Sequence, residues 1–314
     1  MARELVAVVV MGALLAISHI IALLLAVPFT AQELSVFEDP NAVTNAVFYL
    51  ILILAFTAMV LVLIKHRREG LLRYVILGAI AFTMLFVFSV PLSYAFFFLE
   101  APWNDIVSFG ATLALALGLT YALLKYPEWY VVDAVGLSVA AGVTAIIGIS
   151  FGILPALVFL IALAVYDAIA VYRTKHMITL ADAVSGLRLP ILLVIPKRLP
   201  YSFLAQPSLR EELGRGEERA AMFMGLGDII IPGILVVSAF ANLQPNLSSL
   251  GVTANVLVAL VTLLGTLGGF ALLMKLVLSG RPQAGLPLLN AGAIVGYLIS
   301  YSAFYGDLTF GIVL

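Results

Sequence analysis

Nine runs of about twenty mostly apolar residues follow one another along this 314-residue chain: 5–28, 45–64, 74–98, 106–124, 130–149, 152–172, 220–240, 253–274 and 286–305. A helix needs about 20 such residues to cross the hydrocarbon core of a bilayer. Inside lipid every backbone N–H and C=O must be satisfied within the protein, so runs of this length become spanning helices. Only 11% of the residues are charged, against roughly 25% in a soluble domain. The pattern predicts an all-α polytopic membrane protein with nine transmembrane helices. The 130–172 stretch is continuous in hydropathy, and Gly148, Gly152 and Pro155 divide it into two spans. The first run is longer than the roughly 7–15-residue core of a signal peptide, so it is expected to stay as a span.

Charge gives the orientation. Lys and Arg collect in cytoplasmic loops. Threading nine spans from a cytoplasmic N-terminus places residues 1–4, 65–73, 125–129, 173–219 and 275–285 inside. Those segments hold all 16 Lys and Arg residues, whereas the outer segments carry Glu33, Glu38, Asp39, Glu100, Asp105 and Asp307. The C-terminus is then outside. The chain reads as one membrane domain in three parts: spans one to six over 1–172, a cytoplasmic loop over 173–219, and spans seven to nine over 220–314. Prolines 190, 196 and 200 forbid a continuous helix in the loop, and the β-branched run from Ile191 to Ile195 suits a short strand or a surface-lying segment.

Several function classes drop out. The chain has no cysteine, which excludes disulfides, thiolate metal sites and cysteine nucleophiles. A net charge of −1 favours no nucleic-acid partner. His19 lies in the first span without a matching His or Cys cluster, so it reads as a hydrogen-bonded packing residue rather than a ligand. No metal site and no cofactor are expected.

Two carboxylates interrupt the apolar runs. Asp167 lies in LVFLIALAVYDAIAVY and Asp228 in AAMFMGLGDIIIPGILVVSAF. An intramembrane carboxylate is costly and by default marks function. Asp167 stands roughly 9 Å inward of Arg173, and Asp228 roughly 13 Å inward of Arg219, at 1.5 Å of rise per residue. The two spans run in opposite directions, so both side chains reach a similar depth on the cytoplasmic side. Two carboxyl groups sharing a low-dielectric site cannot both ionise easily and hold one proton between them. One then serves as base toward water while the other protonates a scissile carbonyl. Gly225 and Gly227, flanking Leu226 just before Asp228, remove bulk there, and Tyr166 sets a hydroxyl-bearing ring beside Asp167. An ion-coupled transporter or channel, with the aspartates as proton or cation ligands, satisfies the same residues, as does a non-catalytic scaffold. Asp133, near Lys125 and Glu128, reads as interfacial or structural. Gly265 and Gly269, and Gly292 and Gly296, have the spacing that lets membrane helices pack closely.

Tyr166-Asp167 in span six and Gly225-Leu226-Gly227-Asp228 in span seven resemble two signatures of the presenilin and signal peptide peptidase family of intramembrane aspartyl proteases. A third signature, Pro-Ala-Leu at the start of span nine, is matched by Pro287-Leu288-Leu289, which departs at its middle residue, where leucine replaces alanine and bears on close packing. A complete Pro-Ala-Leu at 155–157 lies early in span six, out of position. The resemblance covers nearly the whole chain and is closest to stand-alone microbial homologues of archaeal kind. It implies an aspartic endopeptidase in the cell membrane with Asp167 and Asp228 as the dyad and Leu286, Pro287, Leu288 and Leu289 shaping the substrate site. Its partners would be the lipid bilayer and transmembrane-helix substrates of type I orientation, with a homo-oligomer compatible. The residues before Pro287 are expected to lend an edge to an unwound substrate strand.

Overall fold

A computed structural model describes residues 2–66, 68–97, 103–174, 191–198, 201–203, 220–248, 251–279 and 283–312. Most of the 173–219 loop, and Arg281 and Pro282 ahead of the last helix, lie outside the described residues. The helices are α1 (Ala2–Ala31), α2 (Val43–Lys65), α3 (Glu69–Phe97), α4 (Asn104–Lys125), α5 (Trp129–Ser150), α6 (Ile153–Ile169), α7 (Leu226–Asn242), α8 (Ala254–Val277) and α9 (Gly285–Tyr305). Among the described residues, eight are long and apolar enough to cross a membrane, and α7, with 17 residues, is a shorter apolar helix. The chain is thus a multi-pass integral membrane protein.

The break in the long apolar stretch falls at Phe151-Gly152. Gly152 caps α6 in an extended conformation (φ −64°, ψ 172°), its N–H donates to the Pro40 carbonyl at 2.7 Å, and a Cβ there would run into Asn41. Span seven departs from expectation. Its first residues, Ala221–Gly225, form a strand, β2, and the helix begins only at Leu226. β2 pairs antiparallel with β1, Leu192–Pro196, with Val194 opposite Phe223. Of the two readings of 191–195, strand or surface-lying segment, the strand is the one formed, over 192–196, and the described residues are helical with a small two-stranded antiparallel sheet rather than purely α.

The chain divides into two compact units. One comprises Met1–Met11, Phe56–Val143 and Ile178–Leu226. Leu72, Met84, Leu123, Val132 and Val194 fill its core, so β1 is part of the packing. Two acids on or just before α5 anchor the segment around β1. Asp133 Oδ1 accepts the Val194 N–H at 2.7 Å, and Glu128 accepts the Ser202 hydroxyl at 2.7 Å and the Phe203 N–H at 2.9 Å. Lys197 pairs with Glu4 at 3.3 Å.

The other unit comprises Gly12–Ala55, Thr144–Met177 and Gly227–Leu314. Phe151, Phe159, Leu160, Leu235 and Tyr297 form its core, and Phe37, Tyr49, Phe151 and Phe159 interlock edge to face or stacked with centroids 5.5–6.4 Å apart. α8 and α9 touch backbone to backbone. Gly265 lies against the Gly292 carbonyl, and Gly269 against the backbone of Leu288 and Leu289. These are the small-residue positions read in the sequence, and the contact is of the kind that substitutes for a hydrophobic drive in lipid. It also resolves the departure at Leu288: the room is made by Gly269 on α8, and the Leu288 side chain lines the groove between the two helices.

Candidate active site

Asp167 comes near the end of α6, where the helix loosens into a π-helical turn, Ala170–Thr174. Such turns inside α-helices occur frequently at functional sites. Its carboxylate is buried at 7% exposure. Asp228 stands in the first turn of α7 and is partly buried. Both lie against the start of α9, so the two acids read from separate runs are brought to one place within one unit of the fold.

The start of α9 completes the arrangement. The first amides of a helix have no intrahelical acceptor, and the Leu286 N–H spends its bond on Asp167 Oδ2 at 3.1 Å. Gly285 lies flush against the other acid: a Cβ there would stand 2.9 Å from Asp228 Oδ1 and 3.0 Å from Oδ2. The dipeptide Gly285-Leu286 thus touches both carboxylates. Pro287 sits in the first turn of α9, where its missing N–H leaves no helical bond unmade. Leu286 and Leu289 are buried and root the turn in the core.

The remaining predicted residues divide. Gly225 ends β2 and Leu226 opens α7 as a buried side chain. Gly227 is exposed, and a Cβ there would find only Ile231 Cδ1 at 3.8 Å. This glycine leaves open space beside Asp228 instead of a packed contact. Tyr166 is half-buried next to Asp167. Of the 281–286 segment expected to lend an edge, the described residues form no strand: Gln283 and Ala284 are irregular and Gly285 and Leu286 open α9. Two residues escaped the sequence reading. Gly285 carried no signal beyond its place before the Leu-Pro pair. Tyr172, on the π turn, donates to Gln283 Oε1 at 2.9 Å and meets the Ala284 N–H at 3.4 Å, fastening the approach to α9 to the end of α6. Among the described residues, no three His, Asp or Glu stand together as metal ligands.

Two carboxyl groups set against one backbone segment on apolar helices, one of them accepting an amide from it, supply what an aspartyl hydrolase needs. Comparison with known proteins agrees. The family model for signal-peptide peptidase, presenilin aspartyl protease matches residues 12–305. Two solved structures, each of a presenilin family intramembrane aspartate protease, are similar over nearly the whole chain. One, in space group C222, is 35% identical, with a TM-score of 0.66 over 94% of this chain and 99% of its own. The other, in space group P2, is 34% identical, with a TM-score of 0.62 over 93% and 96%. No curated protein matches the chain significantly. The chain belongs to the signal-peptide peptidase and presenilin aspartyl protease family. It is an intramembrane aspartic endopeptidase acting on transmembrane segments within the bilayer, which sets aside the transporter alternative.

Proposed function

We propose that Asp167 and Asp228 are the catalytic dyad and that the enzyme cleaves transmembrane segments of type I orientation. The observation that carries the dyad is the Gly285-Leu286 backbone lying against both carboxylates at once. One carboxylate takes a proton from water as the oxygen attacks the scissile carbonyl, while the protonated partner gives its proton to the carbonyl oxygen. The tetrahedral intermediate then collapses: the C–N bond breaks, the proton first taken from water passes to the leaving amine, and a hydroxyl of the intermediate returns its proton to the other carboxylate as the new carbonyl forms. The open side of Gly227 gives water and substrate a way to Asp228.

A helical substrate shields its own peptide bonds and must unwind before attack. The register of the β1–β2 pair supplies a place for the unwound chain. The Lys197 N–H bonds the Ala220 carbonyl at 2.9 Å and the Leu226 N–H bonds the Ile191 carbonyl at 3.0 Å. In an antiparallel ladder these set the phase, so Leu193 and Ile195 bond to β2 while Val194 and Pro196 turn their backbone outward. The Val194 N–H is taken by Asp133, and Pro196 has none to give. The outer edge of β1 thus has no free N–H at 194 or 196. On β2 the outward groups belong to Ala221, Phe223 and Gly225, and this strand continues directly into the helix of Asp228. Addition of the substrate strand to β2 is the favoured mode.

Nine spans with the N-terminus inside and the C-terminus outside remain our threading. It is supported by partners that share a predicted side. Glu4 meets Lys197 and Tyr172 meets Gln283 on the inner side. On the outer side Val36 donates to Ser150, and Tyr305 to the Gln244 carbonyl. In that orientation α6 and α7 present the dyad to substrates whose N-termini lie outside. Matched single-span reporters of type I and type II orientation, offered to the purified protein in lipid, test this. Cleavage of the type I reporter alone is expected, and equal or preferential cleavage of the type II reporter would overturn the orientation.

A further inference from the structure

We propose that His19 is a positioning residue that fixes the turn of α7 carrying Asp228, acting through a hydrogen bond to the Ile229 carbonyl; this rests on the proposed role of Asp228. That turn is short of bonds of its own. Asp228 lies among the first residues of α7, where amides lack intrahelical acceptors. Four residues on, at the position that would donate to the Asp228 carbonyl, stands Pro232, which has no N–H and whose ring crowds that carbonyl. The backbone on either side of the acid is therefore weakly held by its own helix.

His19 reaches this turn from α1. Its side chain is fully buried, and Nε2 lies 2.8 Å from the Ile229 carbonyl oxygen, one residue past Asp228. A carbonyl only accepts, so Nε2 carries the proton. The ring fits because α7 has a glycine at the facing position. A Cβ on Gly233 would stand 2.7 Å from both Nε2 and Cδ2 of His19. Nδ1 is then a buried lone pair with no partner among the described residues. A leucine or phenylalanine would fill this space without burying an unpaired acceptor. The imidazole is held there for the N–H it gives to Ile229, and its volume alone does not account for it. Holding that carbonyl restrains the φ and ψ angles next to Asp228, and so the direction of its carboxylate toward Asp167.

Cleavage kinetics of a type I reporter by the full-length protein in lipid test this, with wild type beside His19→Leu, His19→Gln and Asp228→Ala. A small misplacement of a reacting group costs one to two orders of magnitude in rate. His19→Leu is expected to lower kcat about tenfold or more with KM within about twofold and the thermal unfolding midpoint not reduced. His19→Gln, whose amide can donate to the same carbonyl, is expected to recover most of kcat. Full kcat in His19→Leu, or a loss in His19→Gln as deep as in His19→Leu, would overturn the inference. Where His19→Leu does not fold, His19→Gln decides alone: kcat within about threefold of wild type supports the inference, and a loss of about tenfold or more overturns it. Asp228→Ala keeps the two readings apart. Its inactivity beside a fully active His19→Leu would sink the His19 inference alone, and its continued cleavage would sink the dyad.

Discussion

Asp133 and Asp167 look alike by every local measure. Each is a buried carboxylate on an apolar helix, and each accepts one backbone amide from a distant segment, Val194 at 2.7 Å or Leu286 at 3.1 Å. What separates them is their company. Asp133 receives its amide in a unit whose nearby acid, Glu128, is committed to Ser202 and Phe203. Asp167 receives its amide from a helix N-terminus that also lies against a second carboxylate, Asp228. A buried acid bonded to an amide is an anchor. Two that share one backbone segment can divide a proton between them, and chemistry becomes available.

The largest effects expected from this difference fall on the pair. Asp167→Asn or Asp228→Asn should reduce cleavage by about a thousandfold or more, since neither proton transfer survives. Asp133→Asn keeps an acceptor for the Val194 N–H and should stay within about tenfold of wild type. Reporter cleavage by the three folded proteins decides, and a thousandfold loss in Asp133→Asn would erase the distinction. Next comes the segment between the acids. Gly285→Val sets a branched side chain where even a Cβ would lie 2.9 Å from Asp228. A loss of about a hundredfold in kcat is expected, on the scale of a 1 Å misplacement, and unchanged kinetics would show that Gly285 does not fill the space between the carboxylates.

The pair should also show in the pH profile. Activity needs one proton shared by two groups, so kcat/KM should fall on both sides of an optimum. It falls by about tenfold per pH unit at acid pH, where both are protonated, and likewise at alkaline pH, where both are ionised. A single-limbed profile across the range in which the protein stays folded would contradict the pairing. The anchor should respond in stability. Asp133→Leu strands the Val194 N–H, at a cost of about 1–3 kcal/mol, readable as a lower unfolding midpoint in detergent. Smallest of all, Leu288→Ala restores the family residue at a position whose close contact is made by the backbone, and should change cleavage by less than about twofold.

Most of what the sequence could tell came from burial in lipid. The run lengths located the helices, and the glycines and proline at 148–155 located the break. The cost of an intramembrane carboxylate singled out Asp167 and Asp228. Asp133, read as interfacial or structural, is held by the Val194 amide, and His19, read as a hydrogen-bonded packing residue, bonds Ile229. What stayed hidden depends on contacts distant in sequence. Ala221–Gly225 is apolar and unbroken, so it reads as helix. Its extended form is decided by pairing with Leu192–Pro196, which hydropathy does not encode. Gly285 looks like any loop glycine until Asp228 is placed beside it. Tyr172 looks like an interfacial ring until Gln283 is brought to its hydroxyl.

The most direct measurement is the affinity of a peptide transition-state isostere, with a hydroxyl in place of the scissile carbonyl, for the protein in lipid. Wild type would be compared with Asp167→Ala and Asp228→Ala, each verified as folded. If the two carboxylates form one site, both variants lose affinity together, by about a hundredfold or more. Wild-type affinity retained by either variant would mean that the two aspartates do not act on the same bond.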